Sequence, residues 1–169
     1  MIYCYLEAPV GRLLIAADDA ALRDISFATS RHRRAPDREW KEGLNAVLQK
    51  TVTQLSEYFA GNRRAFDVPL GPTGTQFQLR VWNALLEIPF GDTASYSQIA
   101  ARIGRPSAVR AVGSANGRNP IPIIIPCHRI IGSNGALTGF GGGLDVKQSL
   151  LLHERDCDRA HETRPCRLI

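Results

Sequence analysis

A short apolar segment between two prolines limits the fold of this chain more than any other feature. It occupies residues 121–131, which read IPIIIPCHRII. The β-branched isoleucines between turn-forming prolines predict a buried strand over residues 123–125 that ends at the second proline. Successive side chains on a strand point to opposite faces, so Cys127 and His128 can act together only if the backbone turns at or just after Cys127. The glycine-rich residues 132–143 that follow predict a bend of this kind.

Cys127 has two interpretations from its neighbours alone. A free cysteine is among the most buried residue types and often serves only for packing. A reactive thiolate, in contrast, forms where cationic or hydrogen-bonding groups stabilise negative charge, and His128 and Arg129 could supply such groups. The residues leave both interpretations open.

The length and the cysteine pattern restrict the class of protein. A chain of 169 residues is long enough for one ordinary domain or two small ones that share an interface. It lacks an apolar segment of the roughly 20 residues that a membrane span needs, and its N-terminus lacks a signal-peptide pattern. The cysteines show no paired spacing, and together with His153 and His161 they match no compact zinc pattern. They stand at positions 4, 127, 157 and 166. We therefore expect a reduced, cytoplasmic protein without disulfides, metal or cofactor.

Positive charge is concentrated in one part of the chain. The net charge is +5, and the span from Thr93 to Leu144 contains no Asp or Glu. Five arginines lie in this basic window: Arg102, Arg105, Arg110, Arg118 and Arg129. Arginine suits contacts with phosphate and with nucleobases, so the window predicts a polyanionic partner. An acidic small ligand and chance clustering are the alternatives.

The N-terminal part has the pattern of a small α/β domain. Residues 1–27 alternate strand-like runs with turns, which predicts an antiparallel meander, and residues 28–42 are predicted to be an exposed connection. Apolar residues from Leu44 to Phe59 recur at helical spacing and predict a helix over the sheet. Residues 62–74 are rich in Pro and Gly, which indicates a linker and a domain boundary near residue 72.

The C-terminal part predicts a series of helices. Capping-box patterns at Thr75 and Ser95 begin two of them, and Trp82 is expected to lie in the core of the first. A further helix is predicted from Pro106 to about Asn116, so that it forms a helix-turn-helix with the helix before it. A pair of packed helices without DNA contact is the alternative.

The predicted recognition helix has an unusual outward surface. Val109 and Val112 are expected to face inward, whereas the outward strip contains Arg110 and three small residues: Gly113, Ser114 and Gly117. Gly113 within a helix costs about 1 kcal/mol relative to alanine. Close approach of a nucleic-acid backbone or of a neighbouring helix would explain it.

The chain is predicted to end in one more helix and a tail. Asp145 is expected to cap a helix that ends near Glu154. Residues 156–169 are polar and are predicted to be flexible.

Four motifs together resemble one family. They read FGDTASYSQIA, RAVGSANGRNP, IPIIIPCHRIIGSNGALTGFGGG and LLLHE. In these motifs the chain is similar to the 6-O-methylguanine-DNA methyltransferases, closely over residues 73–154 and more loosely over the first 70. The resemblance implies an α/β fold of two domains. Residues 1–72 would form a ribonuclease-H-like domain with a small antiparallel sheet, and residues 73–155 a mostly helical, winged-helix-like domain with the helix-turn-helix.

The resemblance also implies catalytic residues. Cys127 would be the nucleophile, activated through a water by His128, which Glu154 orients. Tyr96 would donate its proton toward the leaving guanine, and Asn119 would tie the recognition helix to the active-site segment.

Further residues are implied to contact the DNA or the damaged base. Arg110 would enter the base stack in place of the extruded nucleotide, on a helix surface that includes Gly113 and Ser114. Lys147 would support Tyr96. The walls of the guanine pocket would be Pro122, Phe140, Gly141 and Gly142. Phe140 stands where some relatives have Tyr, and the tail after Glu154 has no family counterpart.

The function implied is DNA repair in a single turnover. The alkyl group on O6 of guanine, with O4 of alkylated thymine as a second candidate, would move to Cys127 and stay there. The expected partner is double-stranded DNA, bound as a monomer through the minor groove without sequence preference and without a membrane. Two alternatives remain: a thiol hydrolase that uses Cys127 and His128, and a helix-turn-helix regulator or lesion binder without chemistry.

Overall fold

The computed structural model describes residues 1–27, 36 and 39–162, and its N-terminal part contains a four-stranded sheet. Strands β1 (Ile2–Ala8), β2 (Gly11–Ala17) and β3 (Leu22–Phe27) form the predicted antiparallel meander. A short β4 (Lys41–Glu42) pairs parallel to β1, so the order is β3-β2-β1-β4. Residues 28–42 were predicted to be an exposed connection without a strand, and this was wrong for residues 41 and 42, which form β4. Most of the rest of this segment lies outside the described residues.

Helix α1 (Ala46–Phe59) covers one face of this sheet. Its N-cap is Asn45, whose side-chain oxygen accepts from the backbone N–H of Leu48 at 2.9 Å. Because the cap precedes the first turn, Leu44 lies outside the helix and is 57% exposed rather than part of the predicted apolar face.

The linker of residues 62–74 is bound to the edge of the sheet. The N–H of Leu22 donates to the carbonyl of Pro69 at 2.8 Å, and the N–H of Gly71 donates to the carbonyl of Leu22 at 2.9 Å. A backbone hydrogen bond connects the two domains, since the N–H of Ile25 donates to the carbonyl of Pro120 at 2.8 Å.

The C-terminal part is built around α2 (Gln76–Leu86), α3 (Tyr96–Arg102) and α4 (Val109–Gly117). Both predicted capping boxes are present, at the starts of α2 and α3. Trp82 is buried as predicted, and its indole N–H donates to the carbonyl of Ala115 at 2.9 Å. This bond fixes α2 against α4.

Helices α3 and α4 form the predicted helix-turn-helix, with different details. Gly104 takes φ +70° at the end of α3, a conformation that glycine adopts without steric cost. Helix α4 begins at Val109, not at Pro106, because residues 106–108 form a turn. Val109 is consequently exposed, whereas Val112 is fully buried as expected.

The segment predicted as a buried strand is a tight turn instead. The N–H of Ile125 donates to the carbonyl of Ile121 at 2.9 Å, and Ile123 has φ +75°. The segment is buried as predicted. The chain then forms a 3₁₀ turn, Cys127–Arg129, so the predicted bend at Cys127 is confirmed. Strand β6 (Ile130–Ile131) follows and pairs parallel to β5 (Ala94–Ser95).

The last helix, α5 (Leu144–Glu162), is longer than predicted. Asp145 lies in its first turn rather than at its cap, and residues 156–162 are helical where the sequence predicted a flexible tail. Arg64 explains part of the extension, because its guanidinium pairs with Asp158 and donates to the carbonyl of Cys157 at 3.1 Å. Residues 163–169 lie outside the described part.

Buried apolar side chains of both domains form one continuous core. Within the described residues, no helix combines the length and apolar character that crossing a membrane requires.

Candidate active site

Cys127 lies at the bottom of a pocket between the two domains. The pocket has a volume of about 300 Å³ and is lined by residues of β3, α4, the turn of residues 121–125 and the glycine-rich loop, among them Phe27, Asn116, Pro122 and Phe140. The thiol is buried, with 3% of the residue exposed.

His128 and Glu154 form a buried pair beside this cysteine. His128 Nε2 lies 2.7 Å from Glu154 Oε1, and both side chains are inaccessible to solvent. A carboxylate only accepts, so Nε2 carries the hydrogen and Nδ1 keeps its lone pair. Nδ1 is buried and has no hydrogen-bond partner. The ring can therefore accept a proton at Nδ1.

Arg129 supports this pair rather than the thiol. Its Nε donates to Glu154 Oε2 at 2.9 Å, its Nη2 to Oε1 at 3.0 Å and its Nη1 to the carbonyl of Ile88 at 2.6 Å. The guanidinium is thus buried and paired with Glu154. The prediction that Arg129 stabilises the thiolate, and its place in a DNA-facing charged window, were wrong.

The charges of the pair follow from burial and from these bonds. Burial alone would raise the pKa of Glu154, but His128 and Arg129 hold that pKa well below its usual range. Burial lowers the pKa of His128, and Glu154 only partly offsets this. The resting pair is a carboxylate and a neutral imidazole.

The thiol itself is protonated at rest. Burial raises the pKa of Cys127 to about 11, against the opposing effects of a hydrogen bond from Asn119 and the charge of Lys147. The thiolate is the nucleophilic form, so Cys127 needs a base in order to react near neutral pH.

Lys147 and Tyr96 meet at the carbonyl of Thr138. Lys147 Nζ donates to this oxygen at 2.6 Å and also to the carbonyl of Ile130, and Tyr96 Oη donates to Thr138 at 3.2 Å. Burial lowers the pKa of Lys147 to about 8, while Cys127 acts in the opposite direction. The two residues thus lie together, as the resemblance implies.

Two asparagines fix the backbone around Cys127. Asn119 Nδ2 donates to the carbonyl of Ile125 at 2.8 Å, and its oxygen accepts from the N–H of Ile121 at 3.0 Å. Asn116 is buried and donates to the carbonyl of Cys127 at 3.3 Å. Sequence reasoning identified Asn119 but not Asn116, whose only signal was a polar residue on the inner side of α4.

The packing of the pocket wall explains why residue 142 is a glycine. The rings of Phe27 and Phe140 pack edge to face, with centroids 5.7 Å apart. A Cβ on Gly142 would lie 2.9 Å from an atom of each ring, which is closer than carbon atoms approach. Pro122 and Gly141 complete this wall.

The outward surface of α4 carries small side chains and a basic one. Arg110 and Ser114 are exposed. At Gly113 an added Cβ would lie 3.7 Å from the ring of Tyr96, an ordinary contact, so the nearest neighbour is a side chain of the adjacent helix α3. Arg105 and Arg118 are exposed as well.

Two contacts of Glu154 were missed by sequence reasoning. Tyr58 of α1 donates its hydroxyl to Oε1 at 2.8 Å, and the N–H of Gly91 donates to Oε2 at 3.1 Å. Tyr58 lies in an apolar helical stripe, where an aromatic residue ordinarily indicates packing alone. Within the described residues, no group of three or more His, Cys, Asp and Glu is placed to bind a metal ion.

These features define a class: a two-domain chain in which a helix-turn-helix domain holds a buried cysteine next to a histidine–glutamate pair. The family model for the 6-O-methylguanine DNA methyltransferase ribonuclease-like domain matches residues 1–72, and the model for the DNA binding domain of the same proteins matches residues 76–156. The chain therefore belongs to the 6-O-methylguanine-DNA methyltransferase family. The predicted family and the two-domain α/β fold are confirmed.

Similar proteins cover nearly the whole chain. "Methylated-DNA--protein-cysteine methyltransferase" of Methanosarcina acetivorans is 48% identical over 157 residues, which are 93% of this chain and 100% of that protein. The protein of the same name from Mycolicibacterium paratuberculosis is 48% identical over 154 residues, 90% of this chain and 92% of the relative. The crystal structure of Mycobacterium tuberculosis OGT in complex with DNA matches with a TM-score of 0.86 and 45% identity, over 93% of this chain and 94% of that one.

Proposed function

We propose that this chain repairs alkylated DNA by moving the alkyl group from O6 of guanine to Sγ of its own Cys127. The observation that carries the proposal is the buried thiol in the interdomain pocket, next to the 2.7 Å pair of His128 and Glu154. Family membership and the names of the relatives support the same direct transfer. The product is a thioether, which water does not readily cleave, so each molecule acts once.

The chemical step uses groups that lie around the pocket. The thiol proton passes through one bridging water to Nδ1 of His128, while Nε2–H stays bonded to Glu154. Sγ then bonds to the alkyl carbon as the carbon–O6 bond breaks. The electron pair goes to guanine, which takes a proton from Tyr96. The imidazolium and the tyrosinate that remain balance in charge, and the Lys147 ammonium lies beside Tyr96.

The guanine must leave the duplex to reach the pocket, at a cost of a few kcal/mol. Arg110 is exposed on α4 and in our proposal fills the gap that the base leaves. The rest of the outward strip is small, with Gly113, Ser114 and Gly117. This surface offers little hydrogen-bonding information to base edges, which favours sequence-independent binding in the minor groove. Action as a monomer and a cytoplasmic location stay predictions.

The two alternatives are not favoured. A regulator or lesion binder without chemistry does not need the His128–Glu154 pair behind a buried thiol. A thiol hydrolase would turn over, and the relatives are named for transfer to cysteine.

Intact-protein mass spectrometry tests the proposal. After mixing with duplex DNA that contains one 6-O-methylguanine, we expect one added methyl group, located on Cys127 by peptide mapping. Cys127→Ser should stay unmodified, and the matched control Cys4→Ser, in β1, should react like the unaltered protein. Repeated turnover, or an unmodified protein beside intact lesions, would contradict the proposal.

Salt dependence tests the DNA surface. Phosphate neutralisation releases counterions, so log K should fall linearly with log salt concentration. Arg118→Ala should reduce the magnitude of the slope by about one. Affinity that does not depend on salt would exclude the basic surface as the DNA-binding face.

A further inference from the structure

Tyr58 of the N-terminal domain reaches the acid of the catalytic pair. Its side chain is fully buried, and Oη donates to Glu154 Oε1 at 2.8 Å. The same oxygen accepts from His128 Nε2 at 2.7 Å. Tyr58 and His128 are therefore two donors to one atom, and they come from different domains.

The ring of Tyr58 is held in place from several sides. Its aromatic neighbours are Phe59, Phe66, Phe90 and His153, with ring centroids 5.0 to 6.0 Å away. His153 also donates from Nε2 to the backbone carbonyl of Tyr58 at 2.8 Å. These contacts hold the ring so that its hydroxyl points at Glu154. A phenylalanine ring could make the same contacts, so the packing does not explain why a hydroxyl is present.

A donor on Oε1 affects the histidine that shares it. Arg129 Nη2 is a third donor to this oxygen, at 3.0 Å. Each donor takes up part of the negative charge on Oε1 and so weakens the attraction of this oxygen for the proton on Nε2. Burial, with Glu154 adding to it, raises the pKa of Tyr58 well above its ordinary value, so the hydroxyl remains a donor.

We infer that Tyr58 is a positioning residue for alkyl transfer, which acts through Glu154 to keep His128 neutral and able to accept the proton of Cys127. This inference rests on the proposed function. It makes the N-terminal domain part of the reactive apparatus rather than only a support for the C-terminal domain.

Several other charged or titratable groups lie around Tyr58, Glu154 and His128. A test of the Tyr58 hydroxyl must leave these groups unchanged. Arg129 contacts Glu154 directly, and Lys147 acts on His128 through its charge. On the side of Tyr58 the neighbours are His153 and Cys157 of α5. Tyr58→Phe leaves all of them in place and removes one hydroxyl.

The test is the pH dependence of Cys127 alkylation by free 6-O-benzylguanine, with the His128 imidazole followed by NMR. For Tyr58→Phe we expect the acidic limb of the rate profile and the His128 titration to move together to higher pH, by about half a unit to one unit. The rate on the plateau should change little, because His128 is neutral there in both proteins and Tyr58 acts on its protonation. Tyr3→Phe is the matched control, because Tyr3 donates to Glu42 at 3.5 Å on the exposed surface. It should move neither the acidic limb of the rate profile nor the His128 titration.

Further variants separate positioning from packing. Phe66→Leu alters the packing of the Tyr58 ring but keeps its hydroxyl, and it should lower stability without moving the His128 titration. Should Tyr58→Phe fail to fold, 3-fluorotyrosine placed at position 58 supplies a stronger donor, which should shift both curves to lower pH.

The outcomes distinguish the two proposals. If the unaltered protein alkylates Cys127 and Tyr58→Phe shows the same profile and the same His128 titration, the role of Tyr58 is excluded and the proposed function stands. If the unaltered protein does not alkylate Cys127, the proposed function fails, and an unchanged His128 titration in Tyr58→Phe would still exclude the electrostatic link.

Discussion

Lys147 and Tyr96 donate to one carbonyl oxygen, that of Thr138, at 2.6 and 3.2 Å. Lys147 is buried and belongs to α5, whereas Tyr96 begins α3. The shared acceptor joins the glycine-rich loop to both helices. A change at Lys147 should therefore reach the thiol through the lost positive charge and the tyrosine through the loop.

Lys147→Met keeps most of the side-chain volume and removes the charge. We expect the rate of Cys127 alkylation to fall about tenfold to a hundredfold, because an electrostatic contribution near the developing charge is lost. Single-turnover kinetics with 6-O-benzylguanine measure this. Lys50→Met is the control, since Lys50 pairs with Asp67 on the surface at 2.9 Å. Equal rates for the two variants would remove Lys147 from the mechanism.

Glu154→Gln should slow alkyl transfer and leave affinity for undamaged DNA nearly unchanged. An amide cannot accept from all of the donors that surround the carboxylate, so His128 loses its orienting partner. Quenched-flow rates and DNA titrations measure the two quantities separately. A variant that reacts at the unaltered rate would exclude Glu154 from the reaction.

The same substitution should have a pH-dependent effect on stability. Breaking a buried charge pair costs about 3 to 5 kcal/mol. Because the pKa of Glu154 is depressed in the folded protein, its contribution is present above the unfolded pKa and is lost as pH falls through the folded value. Urea unfolding should therefore show a large difference between Glu154→Gln and the unaltered protein at pH 7, and a smaller one in acid. Glu57→Gln, in a surface pair with Arg63 at 2.6 Å, should show a small difference throughout.

Arg110→Ala should separate base extrusion from chemistry. Arg110 is exposed on α4, whereas His128 and Glu154 are buried. Repair of 6-O-methylguanine in duplex DNA should slow much more than reaction with free 6-O-benzylguanine, which needs no extrusion. Equal slowing of both reactions would show that Arg110 serves the pocket or the fold.

Gly142→Ala should damage the pocket wall. The new Cβ would overlap Phe27 and Phe140, and overpacking of this kind costs about 1 to 3 kcal/mol. Thermal unfolding and 6-O-benzylguanine kinetics should both report the change. Gly117→Ala is the stability control, because a Cβ there meets nothing within 4 Å. Similar effects at both positions would contradict the steric explanation.

Local signals in the sequence were sufficient for much of this fold. Capping boxes at Thr75 and Ser95 fixed two helix starts, because the side chains that close them lie three residues apart in the chain. The bend at Cys127 followed from the alternation of side chains along a strand. Trp82 was correctly assigned to the core because its neighbours recur at helical spacing.

Contacts between distant residues decided the rest. Isoleucines at 123–125 have the composition of a strand, but hydrophobicity specifies burial and not backbone conformation, and Asn119 supplies the hydrogen bonds that close the turn. The last turns of α5 have polar residues and no local helix signal beyond Glu154, yet Arg64 holds them from the other domain. Tyr58 likewise gained its contact with Glu154 only in three dimensions.

The backbone bond from Ile25 of β3 to Pro120 limits how a base can enter the pocket. Opening the two domains would have to break this bond and separate the buried apolar side chains of their shared core. The two domains are thus held in one fixed arrangement, with the pocket between them. Gly141 and Gly142 line this pocket, and Gly139 and Gly143 in the same loop have positive φ. We expect an extruded nucleotide to enter this pocket without a large movement of one domain against the other.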